Sequence, residues 1–186
     1  KVLNIEPVLI PCTLQSGFQV TPELLQRAAQ DGPLDGLLIA SPANPTGTML
    51  EPARFAEIVA ACRRNHTWLI SDEIYHGLTY GVDAGSALAI SDDIFVINSF
   101  SKYFGMTGWR LGWLVLPEAL VAPVEKLAQN LYICASSIAQ HAALACFEPA
   151  SLAECERRRA AFRARRDFIV PALESLGFKV PVQPDG

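Results

Sequence analysis

Residues 94–116, IFVINSFSKYFGMTGWRLGWLVL, hold two apolar runs joined by a polar, glycine-containing stretch. The first run, Ile94-Phe95-Val96-Ile97, has the length and β-branched content of a buried strand. The second, residues 111–116, follows with no crossover helix between them. Parallel pairing normally needs a longer, usually helical connection, so this spacing predicts a strand antiparallel to its predecessor.

Upstream, the pattern changes to alternating strands and helices. A short apolar run, Val8-Leu9-Ile10, reads as strand-like. Thr21-Pro22-Glu23 supplies an N-cap, a proline at the first helical position and an acid in the first turn, predicting a helix over 21–30. Gly36-Leu37-Leu38-Ile39-Ala40 is continuously apolar, the signature of a strand covered on both faces. A helix over 52–64 places Phe55, Ile58, Val59 and Cys62 on one face and leads into the strand Thr67-Trp68-Leu69-Ile70. Downstream of residue 116 the pattern is helical, over 118–130, 137–147 and 152–176, with a break or kink expected at Pro171.

Composition narrows the function classes. The 186 residues are 51% apolar, enough for a continuous core, and the formal charge is −4. That balance argues against a general affinity for nucleic acid or anionic membrane, both of which rest on clustered positive charge. No apolar run is long enough to span a bilayer and no secretory signal opens the chain, so a cytoplasmic location is expected. The five cysteines form no CxxC pair and are read as small buried hydrophobes rather than bridges or metal ligands. The chain opens at Lys1 without a methionine and stops at Pro184-Asp185-Gly186, so it reads as a piece of a longer protein.

Three of the apolar runs end in polar clusters: Ser41-Pro42-Ala43-Asn44-Pro45-Thr46-Gly47, Ser71-Asp72-Glu73-Ile74-Tyr75 and Asn98-Ser99-Phe100-Ser101-Lys102. In open α/β sheets, ligands bind beyond the carboxyl ends of the strands, so neighbouring strands would turn all three clusters toward one pocket. There is no GxGxxG or Walker pattern at a strand end to suggest a nucleotide.

These segments, SPANPTG, SDEIY and SFSKYFGMTGWRLGW, resemble the fold-type I pyridoxal phosphate enzymes, specifically the class I and II aminotransferases related to aspartate aminotransferase. The resemblance runs through the whole chain and implies an α/β, three-layer αβα fold with a mostly parallel sheet and one antiparallel strand. Residues 1–150 would be the central part of the large cofactor-binding domain, incomplete at both ends. Residues 151–186 would be the interdomain helix and the start of the small domain.

The same resemblance assigns pyridoxal 5′-phosphate as cofactor and gives the residues roles. Lys102 would hold the cofactor aldehyde as a Schiff base and later carry a proton at the substrate Cα. Asp72 would pair with the pyridine nitrogen, keeping the ring cationic as an electron sink. Tyr75 and Asn44 would donate to the phenolic oxygen, and Ser99, Ser101 and Arg110 would hold the phosphate. Asn44-Pro45 is expected to be a cis peptide. Glu73 receives no direct role.

Relatives place a glycine-rich phosphate loop and a stacking aromatic before the position of Lys1, and a substrate-carboxylate arginine after Gly186. The isolated 186 residues are therefore expected to bind cofactor weakly and turn over little. The intact enzyme is expected to be a homodimer acting on an α-amino acid and a 2-oxo acid. A lyase or decarboxylase of the same fold, and an aminotransferase-like effector domain of a transcription regulator, are the alternatives. The arginine-rich run around Arg157-Arg158-Arg159, interleaved with Glu154, Glu156 and Asp167, reads as a solvated helix face. His66, His76 and His141 read as surface or satisfied polar residues, and Trp68, Trp109 and Trp113 as core or packing residues, with Trp109 near enough to Arg110 to border the pocket.

Overall fold

The computed structural model describes residues 4–186. Helix α1 (Pro22–Ala28) begins as its sequence dictates, with the Thr21 hydroxyl accepting from the Leu24 amide and Pro22 at the first helical position. Strand β1 (Gly36–Ala40), helix α2 (Pro52–Arg64) and strand β2 (Trp68–Asp72) follow as one strand, helix, strand unit. Strands β3 (Phe95–Ser99) and β4 (Gly112–Val115) complete a sheet ordered β1-β2-β3-β4.

The first two pairings are parallel, and β3 and β4 run antiparallel, as the short connection requires. The register sets the carboxyl ends of β1 and β2 level, and β3 runs two residues further. Ala40 pairs with Asp72, Asp72 with Ile97, and Ser99 with Gly112. Gly112 makes the last pairing possible, because a Cβ there would stand 2.6 Å from the Asn98 carbonyl oxygen.

The core lies between the sheet and α2. Phe55, Ile58, Val59 and Cys62 are buried along one side of the helix, as its spacing predicts, and they pack with Leu37, Ile39, Leu69 and Val96. Leu25 of α1 closes the same cluster with no exposed surface.

Burial in β1 alternates, so the cover expected on both faces is found on one among the described residues. Leu38 is 63% exposed and Trp68 is 49% exposed on the other. Side chains of successive strand residues point to opposite faces, and α2 covers only the face of Leu37 and Ile39. Trp109 and Trp113 are likewise well exposed, so none of the three tryptophans is a core residue of this chain.

Helices α3 (Glu118–Leu131), α4 (Ser137–Leu144) and α5 (Pro149–Ser175) form the rest. The break expected at Pro171 does not occur, and α5 continues through it. Proline removes one backbone donor, but its φ is helical, and the partner carbonyl it frees belongs to exposed Asp167. The strand-like run Val8-Leu9-Ile10 is not a strand, and Val8 and Leu9 are exposed. A triplet without a neighbouring ladder has nothing to pair with.

Along α5, Glu154 pairs with Arg157 at 2.7 Å and Asp167 with Arg163 at 3.7 Å, both at the surface. This is the solvated face that the interleaved charges predict. All five cysteines are free; Cys62 and Cys155 are buried, whereas Cys134 is exposed in the turn after α3. No helix is long and apolar enough to cross a membrane among the described residues.

Candidate active site

The lysine at the end of β3 sits in a tight turn built by the alternation of its sequence. Phe100 is buried and packs on Phe104 and Trp113, with ring centroids 5.2 and 5.1 Å away. Ser99, Ser101 and Lys102 on either side of it are partly open. The turn is closed by the Phe100 amide donating to the Leu111 carbonyl (3.1 Å) and the Met106 amide donating to the Phe100 carbonyl (2.9 Å).

Lys102 Nζ lies 5.2 Å from the centre of the Tyr75 ring. The Tyr75 hydroxyl in turn accepts a hydrogen bond from Asn44 Nδ2 at 3.2 Å. Residues from three separate chain segments, 58 positions apart at the extremes (44 and 102), thus meet at the strand ends. Both Ser41-Pro42 and Asn44-Pro45 are cis, the second as expected.

Asp72 is the last residue of β2, paired with Ala40 at the end of β1 and with Ile97 in the middle of β3. Its Oδ1 accepts from the Ile74 amide at 3.1 Å, fixing the carboxylate at the start of the turn that carries Tyr75.

Ser99, Ser101 and Arg110 belong to one hydrogen-bonded unit. The Ser101 amide donates to Ser99 Oγ (3.0 Å), and Thr107 Oγ1 donates to the Ser101 carbonyl (2.7 Å). The Arg110 guanidinium donates to the Thr107 carbonyl (3.0 Å). Arg110 takes a left-handed backbone, φ 54°, where the short helical turn ends and β4 begins.

A cavity of ≈ 310 Å³ opens beside Asn44 and Tyr75, lined also by Pro42, Ala43, Pro184 and Gly186. The chain returns here after α5. The Asp185 and Gly186 amides donate to the Gly47 carbonyl at 2.9 and 3.1 Å, and the Tyr80 amide donates to the Asp185 carbonyl at 2.8 Å. Arg166 secures the return by donating to the Pro184 carbonyl (3.0 Å) and Asp185 Oδ1 (3.1 Å). A Cβ on Gly47 would stand 2.6 Å from the Gly186 carbonyl oxygen, so the glycine is what lets this strap lie close.

The donor set suits pyridoxal phosphate on chemical grounds. Two hydroxyls and a guanidinium on one turn match a phosphate, a carboxylate at the strand end matches a ring N–H, and an amine above a tyrosine matches an aldehyde. The structure brings Lys102, Tyr75 and Asn44 into direct proximity. Asp72 stands on the central strand, and Ser99, Ser101 and Arg110 occupy the turn beside it.

Two polar residues here carry more than sequence reasoning gave them. Glu73 is only 2% exposed, and its carboxylate accepts from the Ala87 amide (2.7 Å) and Ser71 Oγ (3.2 Å). His76 Nδ1 lies 3.3 Å from Glu73 Oε2, and Nε2 lies 3.1 Å from the Ser41 carbonyl oxygen. The i, i+2 spacing of Ser71, on β2, and Glu73, just past its end, was the available signal, since the strand's alternation continued one residue further sends both to the buried face. His66 and His141 are exposed, as expected.

The family model for aminotransferase class I and II matches residues 1–186. Valine–pyruvate aminotransferase of Mycobacterium tuberculosis is 41% identical over 188 residues, covering 100% of this chain and 48% of that protein. Arginine–pyruvate transaminase of Pseudomonas aeruginosa is 36% identical over 184 residues, covering 96% of this chain and 46% of that protein. Among solved structures, an aminotransferase from Mycobacterium tuberculosis superposes with a TM-score of 0.85 at 40% identity, over 94% of this chain and 48% of that one. Aspartate aminotransferase from Thermus thermophilus with maleate gives a TM-score of 0.86 at 29% identity, over 94% of this chain and 46% of that one. The chain spans about half the length of the relatives it matches. With its α/β fold and its whole length matched, this chain belongs to the class I and II aminotransferase family.

Proposed function

We propose that the protein is a pyridoxal phosphate-dependent aminotransferase, moving an amino group between an α-amino acid and a 2-oxo acid, with Lys102 as the amine that holds the cofactor. The observation that carries this reading is the approach of Lys102 Nζ to the Tyr75 ring at 5.2 Å while Asn44 donates to the Tyr75 hydroxyl. Bound, the cofactor would supply an aldehyde that captures amines and a cationic ring that takes up electrons from the substrate Cα.

The side chains have the bonding capacity these roles demand. Because Asn44 donates to the Tyr75 oxygen, the hydroxyl proton of Tyr75 is directed elsewhere and can be given to an oxygen anion. Asp72 uses Oδ1 on the Ile74 amide and keeps Oδ2 to accept from a ring N–H. Arg110 commits one terminal nitrogen to Thr107, which leaves the other edge of the guanidinium for a phosphate, joined by the Ser101 hydroxyl and by that of Ser99 once it turns from the Leu111 carbonyl to which it donates at 3.3 Å. Lys102 Nζ both binds and shuttles a proton, alternating between neutral and charged forms.

Residues 1–150 are proposed as part of the large domain, with residues 151–186, mostly α5, leading into the small one. The intact enzyme is read as a cytoplasmic homodimer, and residues 1–186 alone as weak in cofactor binding. Two relatives are named for pyruvate, which makes pyruvate the first 2-oxo acid to offer.

The test adds pyridoxal phosphate to the full-length protein and records absorbance. Wild type should show a visible band that Lys102→Ala lacks, and should form a new amino acid from valine and pyruvate or another amino donor. Absence of the band in full-length wild type would end the proposal. Pyruvate or ammonia release from an amino acid without amino transfer would replace it with a lyase.

A further inference from the structure

The contact between Asn44 and Tyr75 is a single hydrogen bond between exposed side chains on two different segments. Such a bond contributes little by itself, because water competes for both groups. Its geometry must be imposed from below, and one arrangement beneath it does so.

Glu73 follows Asp72 directly and turns into the interior, where its side chain is 3% exposed. A buried carboxylate is costly unless its oxygens are satisfied. Here Oε1 accepts from the Ala87 amide and Ser71 Oγ, and Oε2 faces His76 Nδ1. On the far side of the imidazole, Nε2 meets the Ser41 carbonyl. A carbonyl can only accept, so Nε2 carries a hydrogen toward Ser41.

Ser41 is itself well anchored. Its amide donates to the Asp72 carbonyl at 3.3 Å, and its Oγ accepts from the Leu50 amide at 2.9 Å. It also opens the segment that reaches Asn44 three residues later. His76 is the chain neighbour of Tyr75, and its amide donates to the Glu73 carbonyl at 2.9 Å. One imidazole therefore ties the root of the Asn44 segment to the root of the Tyr75 turn.

We propose that His76, lodged beside the buried Glu73 carboxylate and bonded through Nε2 to the Ser41 carbonyl, is a positioning residue that fixes segment 41–44 against turn 72–76 and so sets the hydrogen bonding that Asn44 and Tyr75 present to the cofactor's phenolic oxygen. This rests on the cofactor reading above. It assigns His76 no contact with substrate or cofactor. The effect is on one property: the proton affinity of the Lys102-bound cofactor, which donors at the phenolic oxygen lower.

The test uses the full-length holoenzyme and the pH midpoint of its visible band. His76→Asn keeps an amide near Nδ1 for Glu73 but is too short to reach Ser41. His76→Gln places its amide near Nε2 and keeps that reach. The Asn variant should raise the midpoint by about one pH unit, the tenfold change expected when a hydrogen bond to a charged oxygen is lost. The Gln variant should stay close to wild type, and Tyr75→Phe should shift in the same direction as His76→Asn by at least as much.

A folded His76→Asn with the wild-type midpoint overturns the proposal, as does an equal shift in Asn and Gln variants. If His76→Asn does not fold, His76→Ala at the partly exposed site carries the same comparison. Loss of the band in wild type would instead bring down the cofactor reading, and this proposal with it.

Discussion

Gly112→Ala should destabilise the protein and loosen the turn that holds Ser99 and Arg110. A Cβ at this position would lie 2.6 Å from the Asn98 carbonyl oxygen and 3.5 Å from Ser99 Cα. The first contact is with backbone and inside a strand ladder, so no flexible side chain can move aside. Either β4 moves away by several tenths of an ångström or the ladder breaks where Gly112 pairs with Ser99. Overpacking of this kind costs about 1–3 kcal/mol. Gly85→Ala is the matched control, since nothing lies within 4 Å of its added Cβ and its φ is not left-handed. That change should be neutral or stabilise by roughly 0.4–1 kcal/mol through the unfolded chain. Urea denaturation of both full-length variants, followed by tryptophan fluorescence, measures the difference. Cofactor titration should show weaker phosphate holding in Gly112→Ala alone, because the Ser99 hydroxyl lies 3.3 Å from the Leu111 carbonyl, next to the altered residue. Equal stability of the two variants would refute the argument, showing that β3 and β4 have slack the register does not reveal.

Tyr103 offers a test by pH. Burial first, then its 2.6 Å hydrogen bond to Glu156, pushes the phenol up to about 12 from 10.0. A group whose value is raised on folding stabilises fully below its unfolded value and loses that contribution as pH rises through the folded one. The stability of wild type should therefore fall between pH 10.0 and about 12 by more than that of Tyr103→Phe, as followed by circular dichroism across that window. Thiol chemistry tests the core assignment. Burial raises the Cys62 thiol to about 11 and leaves little thiolate at neutral pH, so iodoacetamide on native protein should label exposed Cys134 first. Mass spectrometry showing Cys62 labelled as fast as Cys134 would contradict the packing of α2 on the sheet.

The parts of this molecule that were legible in sequence are those where one local rule suffices. The Thr21-Pro22 cap, the one-sided apolar spacing of α2 and the short link before β4 each act within a few residues and give the element or its direction. The lysine turn was legible for a related reason. Its motif, SFSKYFGMTGWRLGW, carries the resemblance within one short stretch, and the structure adds that Phe100 is buried between partly open Ser99 and Ser101. What sequence left unread depends on partners far along the chain. Leu38 and Trp68 look like core residues by composition, yet their burial depends on what lies against that face rather than on β1 or β2. Glu73 and His76 show the same dependence with the opposite sign. Glu73, given no direct role, and His76, read as a surface or satisfied polar residue, find their partners only when the amide of Ala87, 14 residues on, and the carbonyl of Ser41, 35 residues back, supply their bonds. Polar groups that reach a buried position must bring such partners with them, which makes a satisfied buried carboxylate next to Asp72 stronger testimony to a held geometry than the exposed Asn44–Tyr75 contact it underlies.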